Sequence, residues 1–182
     1  MGTIGQDFNY KVIKNFLSKD EINLFKTYSE IKHITNIDNF DLNQNDNGDT
    51  CFYGDPIMES LMINKLDLMQ TESGKDLLPT YTFWRCYTKY SDLKKHTDRP
   101  SCQISVTVNI SGDGTRWPIF MEGTPIHLNI GDAAIYLGCK VPHWREEFSG
   151  DFQVQAFLHY VDKHGEFKDY YMDKRPYWGI KK

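Results

Sequence analysis

The sequence predicts an α+β fold with a double-stranded β-helix core, the jelly-roll arrangement also found in cupins, and N-terminal helices packed on one sheet. Amphipathic helical patterns are confined to the first part of the chain. From residue 80 onward, short β-rich segments follow one another at close spacing. Because no repeat or low-complexity linker interrupts the chain, we expect one domain over residues 1–182. Helical support would occupy 1–79, the jelly-roll core 80–162 and a C-terminal tail 163–182.

The first elements are a strand and a capped helix. Phe8–Phe16 mixes apolar and polar residues in the manner of a first strand. Ser18 and Glu21 stand at capping-box spacing, and Asp20 would lie in the positive first turn of the helix. The stripe that this helix would bury against a sheet consists of Ile22, Phe25, Tyr28 and Ile31 or Ile34.

A polar segment and a second helix follow. Asp41–Thr50 is almost wholly polar and turn-forming, which favours a surface loop, although such a loop can also close over an active site. Asp55 and Pro56 fit the N-cap and the first position of a helix. The buried side of this helix would carry Ile57, Leu61, Ile63 or Asn64, and Leu68. Thr71–Pro79 should end the helix.

The rest of the chain has the pattern of β-strands. Tyr81–Tyr87 is aromatic and rich in strand-forming residues. In Cys102–Ile110, Ile and Val alternate with Gln, Ser, Thr and Asn, which places one face in the core. The polar face would lie either in water or, inside a jelly roll, along a ligand cavity. Further strands are predicted at Trp117–Met121, Ile126–Ile130, Ala133–Leu137 and Phe152–Val161.

Composition narrows the functional class. A net charge of −4 and a pI near 5.8 argue against a protein that holds nucleic acid by bulk electrostatics. The sequence has no apolar run long enough for a membrane helix and no secretory signal at its N-terminus. Its four cysteines lack C-x-x-C spacing and fit reduced thiols. We therefore expect a cytoplasmic protein that binds neither membrane nor nucleic acid.

His96 and Asp98 are the best candidates for chemistry. Residues two apart on a strand point to the same side, so the imidazole and the carboxylate would face one point. A third metal ligand must come from elsewhere, and His143 is the best candidate. Two histidines and one carboxylate on one side of Fe(II) leave open positions, as in non-haem iron oxygenases. The spacing alone is weak evidence, because His164 and Glu166 repeat it in an apparent solvated turn.

The order of segments strengthens this interpretation, because it resembles the 2-oxoglutarate- and iron(II)-dependent dioxygenases, especially their prolyl-4-hydroxylase-like branch. The corresponding segments are Tyr81–Tyr90, His96-Thr97-Asp98, Gln103–Ile110, Gly131-Asp132 before Ala133–Leu137, His143 and Phe152–Val161. They cover roughly half of the chain. Phe8–Tyr28 also resembles the opening of that family.

The resemblance implies an enzyme. His96, Asp98 and His143 would hold Fe(II), and 2-oxoglutarate would chelate the metal through its 1-carboxylate and 2-keto oxygens. With O2, the co-substrate would be converted to succinate and carbon dioxide while a substrate is hydroxylated. Peptidyl proline, a free amino acid and another small molecule all remain open as that substrate.

The far carboxylate of 2-oxoglutarate needs a cationic partner, and here the sequence departs from the family pattern. Alignment of the last strand puts Gln153 where this branch usually has Arg or Lys. We expect Arg145, two residues after the distal histidine, to take this role, followed by Arg85. Arg99 is less favoured because its side chain should point away from that of Asp98. Tyr87 stands where the branch often has a tyrosine that hydrogen-bonds to the co-substrate.

Two alternatives use the same ligands. A cupin-like binding module could keep zinc or nickel and catalyse nothing, because histidines and a carboxylate accept those metals too. The nucleic-acid demethylase branch has an arginine-rich run after the distal histidine, which Arg145 alone does not reproduce. The acidic pI also disfavours that branch.

Overall fold

The computed structural model describes residues 8–36 and 49–179, which form helices and antiparallel strands. The helices are α1 (Lys19–Asn36), α2 (Pro56–Asn64) and α3 (Leu66–Ser73), with 3-10 segments at Pro100–Cys102 and Lys168–Lys174. The strands are β1 (Tyr10–Ile13), β2 (Thr50–Tyr53), β3 (Leu77–Thr88), β4 (Leu93–His96), β5 (Ile104–Gly112), β6 (Ile119–Met121), β7 (Thr124–Ile126), β8 (Ala133–Tyr136), β9 (His143–Arg145) and β10 (Phe152–Asp162).

The strands form two sheets. The large sheet has the order β1-β8-β5-β10-β3-β2, and the small sheet has the order β4-β9-β6-β7. All of these pairings are antiparallel. Ile119 and Met121 of β6 pack against Ala134 and Tyr136 of β8, so the small sheet faces the large one. A space between the two sheets is left for functional side chains.

The central strand β10 shows how the large sheet divides its two faces. Successive side chains of a strand point to opposite sides. One set joins the core under the helices and consists of Val154, Ala156, Leu158 and Tyr160. The other set points between the sheets and consists of Gln153, Gln155, Phe157 and His159, all buried. The inner face of this strand is therefore largely polar, although it is shielded from bulk water.

The helices cover the outer face of the large sheet, as expected. Phe25 of α1, Met58 and Met62 of α2 and Met69 of α3 belong to one core cluster with the outer side chains of β3, β5 and β10. Trp84 of β3 is fully buried in this cluster and has a packing role. Burial of such large side chains contributes about 1.5–3 kcal/mol each.

The capping box of α1 is confirmed, but the last position of its predicted stripe is wrong. The backbone N–H of Ser18 donates to Glu21 Oε2 at 2.7 Å, and the N–H of Glu21 donates to Ser18 Oγ at 3.2 Å. Phe25 is buried as predicted, whereas Ile31 and Ile34 are 57% and 67% exposed. The end of α1 contacts β2 through other residues, with Lys32 over the Phe52 ring and His33 bound to Thr50 Oγ1, so Ile31 and Ile34 stay largely exposed.

The start of α2 is confirmed, with Asp55 Oδ1 accepting a hydrogen bond from the N–H of Ile57 and Pro56 in the first turn. Its buried side was only partly predicted. Leu61 is buried, but Met58 and Met62 fill the core positions, while Ile63 and Asn64 are exposed. The predicted break at Thr71–Pro79 is also too long, because helix and strand both extend into it. The helix α3 continues to Ser73 and ends at Gly74, whose φ of 68° suits a glycine C-cap.

Two strand predictions need correction. The strand β2 was not predicted: the expected loop Asp41–Thr50 lies outside the described residues except for its last two, and Thr50 already begins β2. The predicted strand Ile126–Ile130 is wrong, because β7 covers Thr124–Ile126. Proline is tolerated there since β7 is an edge strand that pairs only with β6.

The predicted tail packs onto the fold over its described part. Arg99 donates two hydrogen bonds of 2.9 Å to the buried carboxylate of Asp173. Arg175 forms a buried ion pair with Glu59 of α2. Within residues 8–36 and 49–179, none of the helices has the length and apolar character required to cross a membrane.

Candidate metal centre

Three predicted ligands meet at one end of the space between the sheets. His96 ends β4 and His143 begins β9, and these two residues are directly paired across the small sheet. Asp98 lies two residues beyond β4, with its Oδ1 3.4 Å from His96 Nε2 and 3.5 Å from His143 Nε2. Ligands sharing an ion with bonds of about 2.0–2.2 Å have comparable separations. The structure therefore brings the three side chains together.

Both imidazoles are oriented by backbone carbonyls. The carbonyl oxygen of Lys94 lies 2.6 Å from His96 Nδ1, and that of Val141 lies 2.9 Å from His143 Nδ1. Because a carbonyl can only accept, each Nδ1 must carry a proton, which leaves each Nε2 as the nitrogen that faces Asp98 and can bind a cation in the neutral ring. Such contacts fix the tautomer and the ring orientation of metal-binding histidines.

The second oxygen of Asp98 is also held in place. Ser105 of β5 donates from Oγ to Asp98 Oδ2 at 3.0 Å, while the backbone N–H of Asp98 donates to the carbonyl of Gly138 at 2.8 Å. A Cβ at Gly138 would lie 2.5 Å from Asp98 Oδ2 and 2.2 Å from the carbonyl oxygen of Cys102. Only glycine can therefore approach the carboxylate this closely.

Electrostatics favour the metal-binding form at Asp98 and His143, whereas at His96 they favour the protonated imidazole, whose proton a metal would have to displace. Burial alone would raise the pKa of Asp98, but the hydrogen bond to His96, the nearby imidazoles and Ser105 lower it overall. Burial lowers the pKa of His143, whereas the hydrogen bond to Asp98 raises that of His96. A carboxylate anion and neutral imidazole lone pairs are the species that coordinate a cation.

A cavity of about 190 Å³ adjoins the three side chains. Its wall is largely aromatic, and its lining residues are Tyr81, Phe83, Arg85, Tyr87, Leu93, His96, Asp98, Tyr136, His143, Phe157 and His159. His96 stands at the mouth with 38% of its side chain exposed, while the His143 side chain is only 2% exposed. One side of the centre can thus take ligands from the cavity.

Arg145 is buried further along β9 from the centre. Its Nη1 donates to the carbonyl of Trp117 at 2.8 Å, and its guanidinium lies 4.7 Å from the Trp117 ring centroid. Its Nε has no hydrogen-bond partner, and no carboxylate of the described residues pairs with it. Burial lowers its pKa to about 10. The described residues therefore hold a cation between the sheets and supply no carboxylate to balance it.

Comparisons with known proteins identify the fold. No family model matched the sequence, and no curated protein sequence matched it. A prolyl-4-hydroxylase from Pseudomonas putida matches with a TM-score of 0.64 and 15% identity, over 85% of this chain and 92% of that one. A viral collagen prolyl hydroxylase from Paramecium bursaria Chlorella virus-1, solved with 2-oxoglutarate, matches with a TM-score of 0.63 and 11% identity, over 84% of this chain and 95% of that one. HygX from Streptomyces hygroscopicus, solved with nickel and 2-oxoglutarate, matches with a TM-score of 0.65 and 11% identity, over 86% of this chain and 83% of that one.

The chain has the fold of the 2-oxoglutarate- and iron(II)-dependent oxygenases. At the level of fold, this confirms the resemblance in segment order, including the likeness to prolyl-4-hydroxylases. Identities of 11–15% extend no further than the fold. The role of each side chain must therefore be argued from the geometry of this chain.

Within this oxygenase fold, the other predicted arginines already have acidic partners. Arg85 donates from Nε to Asp49 Oδ2 at 2.5 Å and also forms an ion pair with that carboxylate. Arg99 is bound to Asp173 and turned away from the centre, as its position next to Asp98 predicted. Gln153 is buried near the opposite end of the space, where its Oε1 has no hydrogen-bond partner.

Tyr87 packs between the Arg85 guanidinium and the Trp117 ring. The Arg85 guanidinium is 4.1 Å from its ring centroid, and the Trp117 ring meets it edge-on at 4.8 Å. Burial raises its pKa, so the phenol remains a neutral hydrogen-bond donor. Its predicted contact with a co-substrate stays a prediction, and its position on the cavity wall is compatible with that contact.

Sequence reasoning missed three residues of this oxygenase fold, Ser105, Gly138 and His159. The alternation in β5 contained a signal for Ser105, because its polar face lines the interior instead of facing water. His159 continues the inward set of β10, so the same period of two could have found it. For Gly138 no local signal exists, since its steric role depends on Cys102 and Asp98 from another part of the chain.

Proposed function

We propose that this protein is a 2-oxoglutarate- and iron(II)-dependent oxygenase that hydroxylates a substrate. His96, Asp98 and His143 would hold the metal, and Arg145 would bind the far carboxylate of 2-oxoglutarate. The proposal depends on one observation above all. Two imidazole Nε2 atoms and a carboxylate oxygen converge beside a cavity, and Arg145, buried two residues after His143 on β9, has no acidic partner among the described residues.

The strand order supports a jelly roll as the framework. Without the added strands β1 and β2, the large sheet reads β8-β5-β10-β3 and the small sheet β7-β6-β9-β4. Eight strands in two facing four-stranded sheets are the number that a jelly roll requires. In this arrangement the ligand-bearing ends of β4 and β9 open toward the inner face of the large sheet, where Tyr81, Phe157 and His159 also line the cavity.

Arg145 favours an enzyme over a binding module that keeps only a metal. A buried guanidinium without a counter-ion is costly, and a module that binds only a cation gains nothing from a second positive charge nearby. A dianionic co-substrate would balance both charges. Arg85 and Arg99 are less suited because each would have to give up a carboxylate partner.

The residues present fit the proposed metal and co-substrate. The lone pairs of His96 and His143 and the anion of Asp98 would hold Fe(II), while Val141 and Ser105 keep these groups oriented. Tyr87 can donate a hydrogen bond toward the cavity, and the aromatic wall limits access of water. When bound, iron(II) with 2-oxoglutarate and O2 supplies the chemistry that hydroxylates a C–H bond and leaves succinate and carbon dioxide.

Anaerobic titration with Fe(II) and 2-oxoglutarate tests this proposal. Wild-type protein should develop a weak visible charge-transfer band, and His96→Ala should lose it because one ligand is gone. His164→Ala is the matched control, since the side chain of His164 is 70% exposed and its imidazole is bound to Asp76 at the surface. It should retain the band at full intensity.

Oxygen consumption provides the second measurement. After air is admitted, wild-type protein should convert 2-oxoglutarate to succinate slowly even without substrate, and His96→Ala should not. If Fe(II) binds but 2-oxoglutarate produces neither a band nor succinate, the metal-binding module replaces the enzyme. If Fe(II) binds equally well to His96→Ala, the proposed ligand set is wrong.

A further inference from the structure

Ser105 connects the proposed metal ligand Asp98 to a histidine on the cavity wall. Its Oγ lies 3.0 Å from Asp98 Oδ2 and 2.9 Å from His159 Nδ1. A serine hydroxyl has one proton to donate. If that proton were given to His159, two unprotonated oxygens would face each other at 3.0 Å. The carbonyl oxygen of Cys102, also 3.0 Å from Ser105 Oγ, can likewise only accept. The hydroxyl proton therefore goes to Asp98 or to this carbonyl, and His159 Nδ1 donates to Ser105 Oγ.

This donor order leaves His159 Nε2 as a lone-pair acceptor. The residue is 5% exposed and lines the same cavity as the metal centre. No side chain or backbone group within residues 8–36 and 49–179 forms a hydrogen bond with this nitrogen. Its imidazole packs against the Tyr81 ring, with 4.5 Å between centroids, which fixes the plane of the ring. A ring nitrogen of a cavity-lining histidine that has no protein partner can accept a hydrogen bond from a ligand that carries a donor.

The walls around this acceptor are aromatic. Phe83 and Phe157, paired across β3 and β10, line the cavity with their ring centroids 6.3 Å apart. Tyr81 continues the same wall toward the mouth. Flat or cyclic carbon groups pack well against such faces. A ligand here would present carbon to the aromatic rings and one donor to His159.

The charged groups at this wall are already paired. Arg85 is bound to Asp49, and Arg99 is bound to Asp173. Asp98, the carboxylate on the cavity wall, is assigned to the metal. A zwitterionic amino acid would need both a free cation and a free anion to replace its hydration. The part of a substrate that enters this wall should therefore be uncharged.

We propose that His159 is a substrate-binding residue, and that the substrate is an uncharged, cyclic or flat group with one N–H or O–H donor, such as an amide. This inference rests on the proposed oxygenase function, because it places the substrate beside the metal. It decides between the open substrate classes: a neutral amide-bearing group is favoured, and a free amino acid is not.

A matched pair of small amides tests the donor. The protein is loaded with Zn²⁺ and 2-oxoglutarate without turnover, and the affinities of 2-pyrrolidinone and N-methyl-2-pyrrolidinone are measured by saturation-transfer NMR. Both rings are neutral, but only the first has an N–H. We expect wild-type protein to bind 2-pyrrolidinone about five- to tenfold more tightly, as one hydrogen bond to a buried acceptor provides. L-proline should bind more weakly than 2-pyrrolidinone.

Variants separate the hydrogen bond from steric effects of the methyl group. His159→Phe keeps a ring against Tyr81 but removes the acceptor, so the ratio of the two affinities should fall to about one. His159→Gln offers an amide oxygen and should restore part of the ratio. Phe157→Leu is the matched control on the same wall; it should weaken both probes and leave their ratio unchanged.

The tautomer is measured on wild-type protein and needs no variant. The ¹⁵N shifts of His159 should show a protonated Nδ1 and an unprotonated Nε2. A protonated Nε2, equal affinities in wild-type protein, no binding of either amide, an unchanged ratio in His159→Phe, or tighter binding of L-proline would each overturn the assignment. The visible band with Fe(II) and 2-oxoglutarate is recorded in the same samples. Its absence in wild-type protein refutes the oxygenase proposal separately from the role of His159.

Discussion

Replacement of Arg145 by methionine should stabilise the ligand-free protein and weaken binding of 2-oxoglutarate. The lowering of the Arg145 pKa from 12.5 to about 10 measures the cost of keeping its charge in the fold. A difference of 2.5 units at 1.36 kcal/mol each gives about 3 kcal/mol. The lost hydrogen bond to Trp117 and the lost cation–π contact offset about 1 kcal/mol each. The free energy of unfolding should rise by about 1 kcal/mol.

The affinity for 2-oxoglutarate should fall in the same variant. A charge-assisted hydrogen bond to a carboxylate is worth about 1.5–3 kcal/mol, so Arg145→Met should weaken 2-oxoglutarate binding by roughly 10- to 100-fold. Urea unfolding of metal-free protein measures stability, and anaerobic calorimetry with Zn²⁺-loaded protein measures affinity. Arg85→Met is the control: it removes the cation that pairs with the buried carboxylate of Asp49 and should destabilise the ligand-free protein by about 3 kcal/mol. An Arg145→Met variant with lower stability and unchanged affinity would refute the reasoning.

Three further variants test other parts of the structure. Gly138→Ala places a Cβ within 2.5 Å of Asp98 Oδ2 and should abolish tight Fe(II) binding, measured by metal titration; retained affinity would contradict the steric argument. Ser105→Ala should weaken Fe(II) binding about 10- to 100-fold, because Asp98 Oδ2 loses its hydrogen bond from Ser105, and Ser105→Thr should keep part of the affinity. Asp132→Asn should cost about 2 kcal/mol of unfolding free energy at pH 7, because Asp132 accepts bonds from Lys14 and two backbone amides. These bonds outweigh burial and lower its pKa, so this contribution is present above about pH 4 and is lost as the pH falls through the folded-state value. An equal loss of unfolding free energy in Asp132→Asn at pH 7 and in acid would contradict the conclusion that the ionised carboxylate provides this stability.

Local features were predicted where neighbouring residues alone decide the outcome. The capping box of Ser18 and Glu21 and the cap at Asp55 involve groups a few positions apart, so their hydrogen bonds follow from spacing. The period of two in β5 likewise identified its core face. By contrast, Ile31 and Ile34 continue a regular helical stripe but are exposed, because the end of α1 contacts β2 through Lys32 and His33. Sequence periodicity does not show which side of a helix end meets a distant strand.

The sequence by itself determined the residue types of the centre and the two-residue spacing that turns His96 and Asp98 to one side. Only the tertiary structure decided that His143 pairs with His96 across the small sheet, because strand pairing joins segments with no local interaction. It also decided which arginine stays without an acidic partner: Arg85 meets Asp49 and Arg99 meets Asp173, whereas Arg145 meets no carboxylate among the described residues. Charge balance is a property of neighbours in space, and those neighbours are set by the packing of distant segments.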